Sequence, residues 1–376
     1  MKNKKLFTLM LIGLGVLSFT ACSDDDDAPE IKTVTASDGA FVVNAGNTRS
    51  AIDGSLTYFD YNTSSASQSV FKNANGRSLG VTANDGVVYG SKVYLVVDGE
   101  NTVEVFDKKT FRSIKQIKTT ALLGTAEGTS PRHIIAAEGQ VFFTTYGGYV
   151  AAIDTTSYAL SKKWQVGSYP EGLTYYAGNI LVANSDYSRG NGTLSSFATN
   201  SDQVQTITIH GVENPQKVFV TASGQIAVLD WGHYLSVSPW TQENTGLKFI
   251  NPTTRDTTKT VPATMADYDG RTGNFYIVNS PYGSGTTTYS VFNALTGSLS
   301  PLTLSETPAS PNAIKVDAVR QRLFILSYSL GESGYASYST NGYCLVYDFS
   351  GTRVGKFDTG VGPTDVFFDT YTTVQQ

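Results

Sequence analysis

Gly362-Pro363-Thr364-Asp365-Val366-Phe367-Phe368, close to the end of the chain, reads as the first strand of a repeat that never continues. Ala40-Phe41-Val42-Val43, close to the start, reads as a second strand with no first strand before it. Between them a short strand recurs that ends in an aromatic residue or Ile followed by Asp, Asn or Ala. Its instances are Tyr58-Phe59-Asp60, Val105-Phe106-Asp107, Ala152-Ile153-Asp154, Ser196-Phe197-Ala198, Phe249-Ile250-Asn251, Val291-Phe292-Asn293 and Val346-Tyr347-Asp348, a mean spacing of 48 residues. Each is preceded by an apolar, β-branched run such as 93–97 (VYLVV) or 323–326 (LFIL). Four of these runs are preceded in turn by a Pro-led segment, with Pro at 131, 170, 215 and 311, and a fifth such segment, led by Gly362-Pro363, is the orphan at the end. Proline is tolerated at the first residue of a strand and not in its middle. Strands of about 40–50 residues per repeat are the signature of a four-stranded propeller blade. The fold read from this pattern is all-β: a seven-bladed β-propeller over 38–376, its C-terminal strand completing the first blade. Closing the ring removes the exposed strand edges. A solenoid or a pair of sandwiches leaves the missing first strand and the orphan last strand unexplained.

Composition agrees. Only 16% of the 376 residues are charged, and Gly 36, Tyr 22 and Phe 19 stand where a helical bundle would carry Ala, Leu, Glu and Lys. A formal charge of −5 with no basic run disfavours nucleic acid. With Cys22 and Cys344 alone, neither a disulfide framework nor a Cys-rich zinc site is expected.

The first residues read as an address. Lys2, Lys4 and Lys5 precede the apolar stretch 6–19 (LFTLMLIGLGVLSF), whose length suits a signal peptide better than a membrane span. Small residues then lead to Cys22, which resembles the lipidated cysteine of a bacterial lipoprotein, although Phe19 departs from the aliphatic residue usual there. The run Asp24-Asp25-Asp26-Asp27 behind it is a solvated tether. It also resembles the acidic export tag of surface-exposed lipoproteins in one group of Gram-negative bacteria. The expected division is a lipoprotein signal peptide over 1–21, a lipidated acidic tether over 22–37 and the propeller beyond. Lipid on Cys22 would anchor the chain to the outer membrane, facing the medium.

No catalytic motif stands out, and His133, His210 and His233 lack metal-ligand spacing, so no enzyme, cofactor or metal is expected. The informative variation lies in the loops between second and third strands. These are short at 99–101 and 147–148 but long at 44–54, 184–192, 230–246, 279–288 and 327–342. In a propeller they surround the mouth of the central channel. Their Tyr, Trp, Ser, Asn and Gly are the composition of a recognition surface. The candidate ligand-binding residues are Arg49, Arg132, Tyr146, Tyr149, Tyr187, Arg189, Trp231, His233, Tyr234, Tyr282, Tyr328 and Tyr335, with Trp240 and Tyr338 beside them. The few charged pairs favour a neutral ligand rich in amides or hydroxyls. The Asp residues that end the third strands read as turn-formers, not as a site.

Pro131-Arg132-His133-Ile134, 148–154 (GYVAAID) and Gly167-Ser168-Tyr169-Pro170-Glu171-Gly172-Leu173 resemble the recurring segments of the YncE-like surface-layer propellers. The likeness spans the propeller, and the fourth and fifth blades depart most. With the lipoprotein signal and the acidic tag, the chain is similar to the BtuG family. That resemblance implies a surface lipoprotein that binds cobalamin or related corrinoids and passes them to a TonB-dependent outer-membrane transporter. A glycan-binding propeller is the alternative, with siderophore or haem capture, or a propeller lactonase or lyase, behind it.

Overall fold

The computed structural model describes residues 32–375 apart from 187–189, 191 and 236–239. Cys22, the stretch 1–21 read as a signal peptide, Tyr187 and Arg189 lie outside the described residues. Seven four-stranded antiparallel sheets account for the fold. Blade 2 comprises Ala83–Tyr89, Lys92–Val97, Thr102–Asp107 and Ser113–Lys118, ordered from the axis outward. Blades 3 to 7 repeat the order, their innermost strands being Pro131–Ala137, Pro170–Tyr176, Pro215–Val220, Met265–Asp269 and Pro311–Asp317. All five Pro-led segments begin innermost strands.

Blade 1 is shared between the chain ends. Pro363–Gln375 forms its innermost strand and pairs with Lys32–Asn44, which pairs with Ser55–Asp60 and then Ser65–Ser67. The register sets Val42 opposite Val366 and Phe41 opposite Phe367. The closing ladder runs further than the sequence suggests. Lys32–Ser37, assigned there to the tether, pair with Thr370–Gln375 beyond a bulge at Asp38 and Gly39. The β-branched and aromatic residues among 33–35 (TVT) and 370–374 (TYTTV) suit this extended ribbon.

The core is not one mass but seven seams, each between neighbouring blades. One seam joins Phe41, Val43 and Phe367 of blade 1 to Val93, Leu95 and Phe106 of blade 2. Another joins Val42 and Val366 of blade 1 to Phe324, Leu326 and Cys344 of blade 7. Successive residues of a strand point to opposite faces, so each blade's second strand feeds two seams. That is why these strands read as unbroken apolar runs.

The third-strand Asp and Asn residues close turns, as expected. Asp154 accepts the Thr156 and Ser157 amides at 3.1 and 2.6 Å, and Asn293 those of Leu295 and Thr296 at 3.0 and 2.9 Å. Asp60, Asp107, Asn251 and Asp348 do the same.

Candidate functional site

The mouth of the channel opens into a bowl of about 1320 Å³. That exceeds the ~300–1,000 Å³ of sites for drug-sized ligands. Two kinds of chain segment build it. The floor comes from the starts of the innermost strands. In six blades the ladder slips by a bulge there, at Asn84, Arg132–His133, Glu171–Gly172, Gln216, Asn312 and Thr364. A bulge re-aims a side chain out of the ladder. Asn84, Arg132, Glu171, Gln216, Asn312 and Thr364 all line the bowl.

The wall is lopsided. Blades 5, 6 and 7 supply the long loops, and with them an arc of aromatic rings: Trp231, Tyr234, Tyr282, Tyr328, Tyr335 and Tyr338. Tyr335 is 78% exposed and Tyr282 61%. The arc is braced from beneath. Trp231 Nε1 donates to the Thr264 carbonyl at 2.9 Å, and the two-stranded ribbon of His233–Tyr234 and Gln242–Glu243 carries Tyr234. The Gln242 amide donates to the Tyr282 carbonyl at 3.0 Å, joining the loops of blades 5 and 6. Tyr234 and Tyr282 meet edge to face at 6.1 Å, and Tyr328 and Tyr338 at 4.9 Å. Asn47 of blade 1 donates to the Tyr338 carbonyl at 2.7 Å.

On the facing side, blades 2 to 4 set a polar cluster. Arg132 reaches Asp98 at 2.6 Å and Glu171 at 3.0 Å, and its guanidinium lies 4.7 Å from the centre of the Tyr146 ring. The Tyr146 hydroxyl donates to Glu171. His133 stands between Asp85 at 3.0 Å and Glu171 at 3.5 Å. Burial opposes the charge on His133, but the bonds to Asp85 and Glu171 outweigh it and raise its pKa. Burial alone would raise the Glu171 carboxyl too; Arg132 beside it, with His133 and Tyr146, holds it below the usual range. Every charge here has a partner, so the cluster fixes shape more than it seeks ligands.

Beneath it the blades contribute one ionisable residue each to the axis: Asp365, Asp85, His133, Glu171, Lys217, Asp267 and Lys315. They interact across blades, Lys315 with Asp365, Asp267 and Asp85, and Lys217 with Lys315 and the same three carboxylates. Asp365 is pushed up to about 7 by burial, with neighbouring Asp85 adding to the rise against the pull of Lys315. Asp85 is held down, the His133 bond overcoming its burial.

Of the candidates read from sequence, the structure brings Arg132, Tyr146, Trp231, Tyr234, Tyr282, Tyr328 and Tyr335 to the bowl. It leaves three away from its lining. Arg49 sits on the exposed single-turn helix Thr48–Ser50. Tyr149 faces Lys163, whose ammonium lies 5.5 Å from its ring, and bonds Glu127. His233 turns to Glu213 at 2.7 Å. The buried ring was missed, though Pro131-x-His133, Pro215-x-Lys217 and Pro363-x-Asp365 carry its signal: an ionisable residue two places into an inward strand. Among the described residues no three His, Cys, Asp or Glu converge as a metal site.

A family model described as a domain of unknown function, DUF5074, matches residues 38–260. No curated protein matches the sequence. Solved structures share the fold. A putative 6-phosphogluconolactonase from Bacteroides fragilis aligns at TM-score 0.59 and 12% identity over 88% of this chain and 98% of its own. A quinonprotein alcohol dehydrogenase-like protein from Bacteroides thetaiotaomicron gives 0.57 and 14% over 89% and 78%. A functionally unknown protein from Desulfotomaculum acetoxidans gives 0.57 and 15% over 88% and 99%. At these identities the likeness is one of fold alone.

Proposed function

We propose that this chain, which belongs to the DUF5074 family, a domain of unknown function, is a binding protein whose bowl captures a corrinoid such as cobalamin. The observation that carries the reading is the lopsided bowl of about 1320 Å³, aromatic on one wall and amide-rich on its floor. A corrin is a broad, nearly flat macrocycle edged with carboxamides. Its faces suit the rings of Trp231, Tyr234, Tyr282 and Tyr335. Its amide edge suits Asn84, Asn214, Gln216, Gln242 and Asn312, which offer both donors and acceptors. Binding rather than catalysis is supported by the polar cluster, where Arg132, His133, Glu171 and Tyr146 are committed to one another.

In this reading the chain is a lipoprotein held through Cys22 at the outer-membrane surface, and hands its ligand to a TonB-dependent transporter. Calorimetric titration of purified 23–376 with cyanocobalamin tests the ligand. Saturable binding at micromolar Kd is the expected result, and no heat up to about 100 μM, a free energy weaker than ~5.5 kcal/mol, refutes it. Radiolabelled palmitate should enter the chain in its host and be lost in Cys22→Ala. A glycan ligand is the second reading, favoured by the exposed rings of Tyr282 and Tyr335 as sugar-stacking platforms. A glycan array on the same protein separates the two.

A further inference from the structure

Lys217 is the exception in the floor of the bowl. Arg132 has Asp98 and Glu171, His133 stands between Asp85 and that same Glu171, and Lys315 has Asp365 at 3.3 Å. Lys217 lines the bowl, and among the described residues no carboxylate lies within 4.0 Å of its amine.

The reason is partly arithmetic. Around the axis the signs run Asp365, Asp85, His133, Glu171, Lys217, Asp267, Lys315. A ring with an odd number of members cannot alternate throughout. The one like pair falls at Asp365 and Asp85, where a bond between the two carboxyls relieves it. Lys217 then stands in order between Glu171 and Asp267, but both are drawn elsewhere. Glu171 is taken up by Arg132, His133 and Tyr146. Asp267 accepts the Val316 amide at 2.8 Å.

Its stem is seated with care. A Cβ at residue 172 would lie 3.1 Å from Lys217 Cα and 2.7 Å from the Gln216 carbonyl oxygen, so glycine there lets strand 215–220 approach. Burial and then the charge of Lys315 hold the Lys217 amine below the ordinary lysine range. Lys217 is partly buried, and the carboxylates of Asp365, Asp267 and Asp85 act on it only from beyond ion-pair distance, which leaves its ammonium without a contacting counter-charge. What meets it has to enter through the bowl, the side that Lys217 faces.

We propose that Lys217 is the seat of an oxyanion, a carboxylate or phosphate group, carried by the molecule that enters the bowl. This rests on the reading of the bowl as a ligand site and adds what its ligand must carry. The amides of Gln216 and Asn312 line the same floor; each gives one N–H to the protein, at 2.7 Å to Asn214 Oδ1 and 2.7 Å to the Pro363 carbonyl, and carries a second for the remaining oxygens.

The test uses full-length mature protein with inorganic phosphate and with acetate as probes, and sodium chloride at matched ionic strength as control. Acylation of each lysine by an amine-reactive reagent is followed by peptide mass spectrometry. Phosphate or acetate at ten times its measured Kd should slow modification of Lys217 by about tenfold, while chloride leaves the rate unchanged. Saturable oxyanion binding should vanish in Lys217→Met and survive in Lys217→Arg, with circular dichroism showing both folded. Equal protection by chloride, or oxyanion binding unchanged in Lys217→Met, overturns the proposal. A protein that binds cyanocobalamin but shows no oxyanion protection at Lys217 loses this inference alone. Oxyanion protection without cyanocobalamin binding sustains the inference and sinks the corrinoid reading.

Discussion

Closure of the ring by the last strand makes a quantitative demand on Phe367. Its side chain enters the seam between blades 1 and 2, stacked on Phe41 with ring centres 5.0 Å apart. It also covers Gly86, where a Cβ would lie 2.4 Å from the Phe367 ring. Only 8% of the residue is exposed. Truncating such a phenylalanine removes the transfer energy of its ring and leaves a cavity that packed β-strands cannot fill, a cost of about 3–5 kcal/mol. Against a total stability of roughly 5–15 kcal/mol this is a large share. Val366, its neighbour, faces the other way into the seam between blades 1 and 7. Losing two methyls there, at about 0.8 kcal/mol each, costs at least about 1.5 kcal/mol in Val366→Ala. Urea unfolding followed by tryptophan fluorescence reads both. The midpoint should fall in each variant with the slope unchanged, because the surface exposed on unfolding stays the same. A chain ending at Gly362 should show no cooperative transition, since both seams lose a wall. If Phe367→Ala costs less than about 1 kcal/mol, or the truncated chain unfolds like the parent, the ring is not closed by this strand.

Lys248 is 1% exposed and bonds Asp230 at 2.7 Å, the Gly211 carbonyl at 2.6 Å and Asn244 at 3.1 Å. Lys248→Met strands the buried Asp230 carboxylate and should cost about 3–5 kcal/mol by urea unfolding. It should also weaken binding, because Asp230 anchors the loop that carries Trp231. Trp231→Ala and Tyr282→Ala should each weaken the ligand by about 2 kcal/mol, some thirtyfold in Kd by calorimetry, with stability nearly unchanged. Arg49→Ala and Tyr149→Ala, both off the bowl, should leave Kd unaltered. Asp365 carries a pH signature. Its folded carboxyl titrates at about 7 against 3.8 ordinarily. The unfolded chain therefore releases this proton first, so stability falls as pH climbs from the lower value to the higher and levels off above. Asp365→Asn should flatten that segment of the stability curve, measured by urea unfolding at stepped pH. An unchanged slope would refute the burial of Asp365 against Asp85 as the source of its raised carboxyl.

The fold was legible because propellers write their geometry into spacing. Prolines 131, 170, 215, 311 and 363 mark where inner strands begin, and the orphan at 363–368 marks the closure. The extension of that closure to Lys32 was not legible, since 32–37 (KTVTAS) is polar enough to pass for tether and gains its structure only by pairing with 370–375. The aromatic half of the bowl was legible too, because long loops rich in Tyr and Trp had no seam to fill. What sequence misplaced were residues whose direction depends on a local partner. His233 is turned by Glu213, and Tyr149 by Lys163 and Glu127; neither contact has a periodic signal. The bulges that aim Arg132, Glu171 and Gln216 inward are one-residue slips that leave no mark in composition.

The two halves of the bowl answer to different constraints. On blades 5 to 7 the bowl-facing rings ride on loops that leave the apolar seams intact; Tyr335 and Tyr338 appear in none of them. Those rings can change without touching the fold, and on the proposed reading ligand shape is set there. On blades 2 to 4 bowl-facing groups sit on strands whose neighbours one or two positions on are seam residues: Ile134 follows His133, and Leu173 comes two after Glu171. Altering Arg132 or Glu171 frees a buried partner charge and disturbs two seams together. The polar half therefore behaves as a fixed reference against which the aromatic half varies. A change of ligand within this fold should appear first in 231–245, 280–287 and 328–340, and last in the starts of the inner strands.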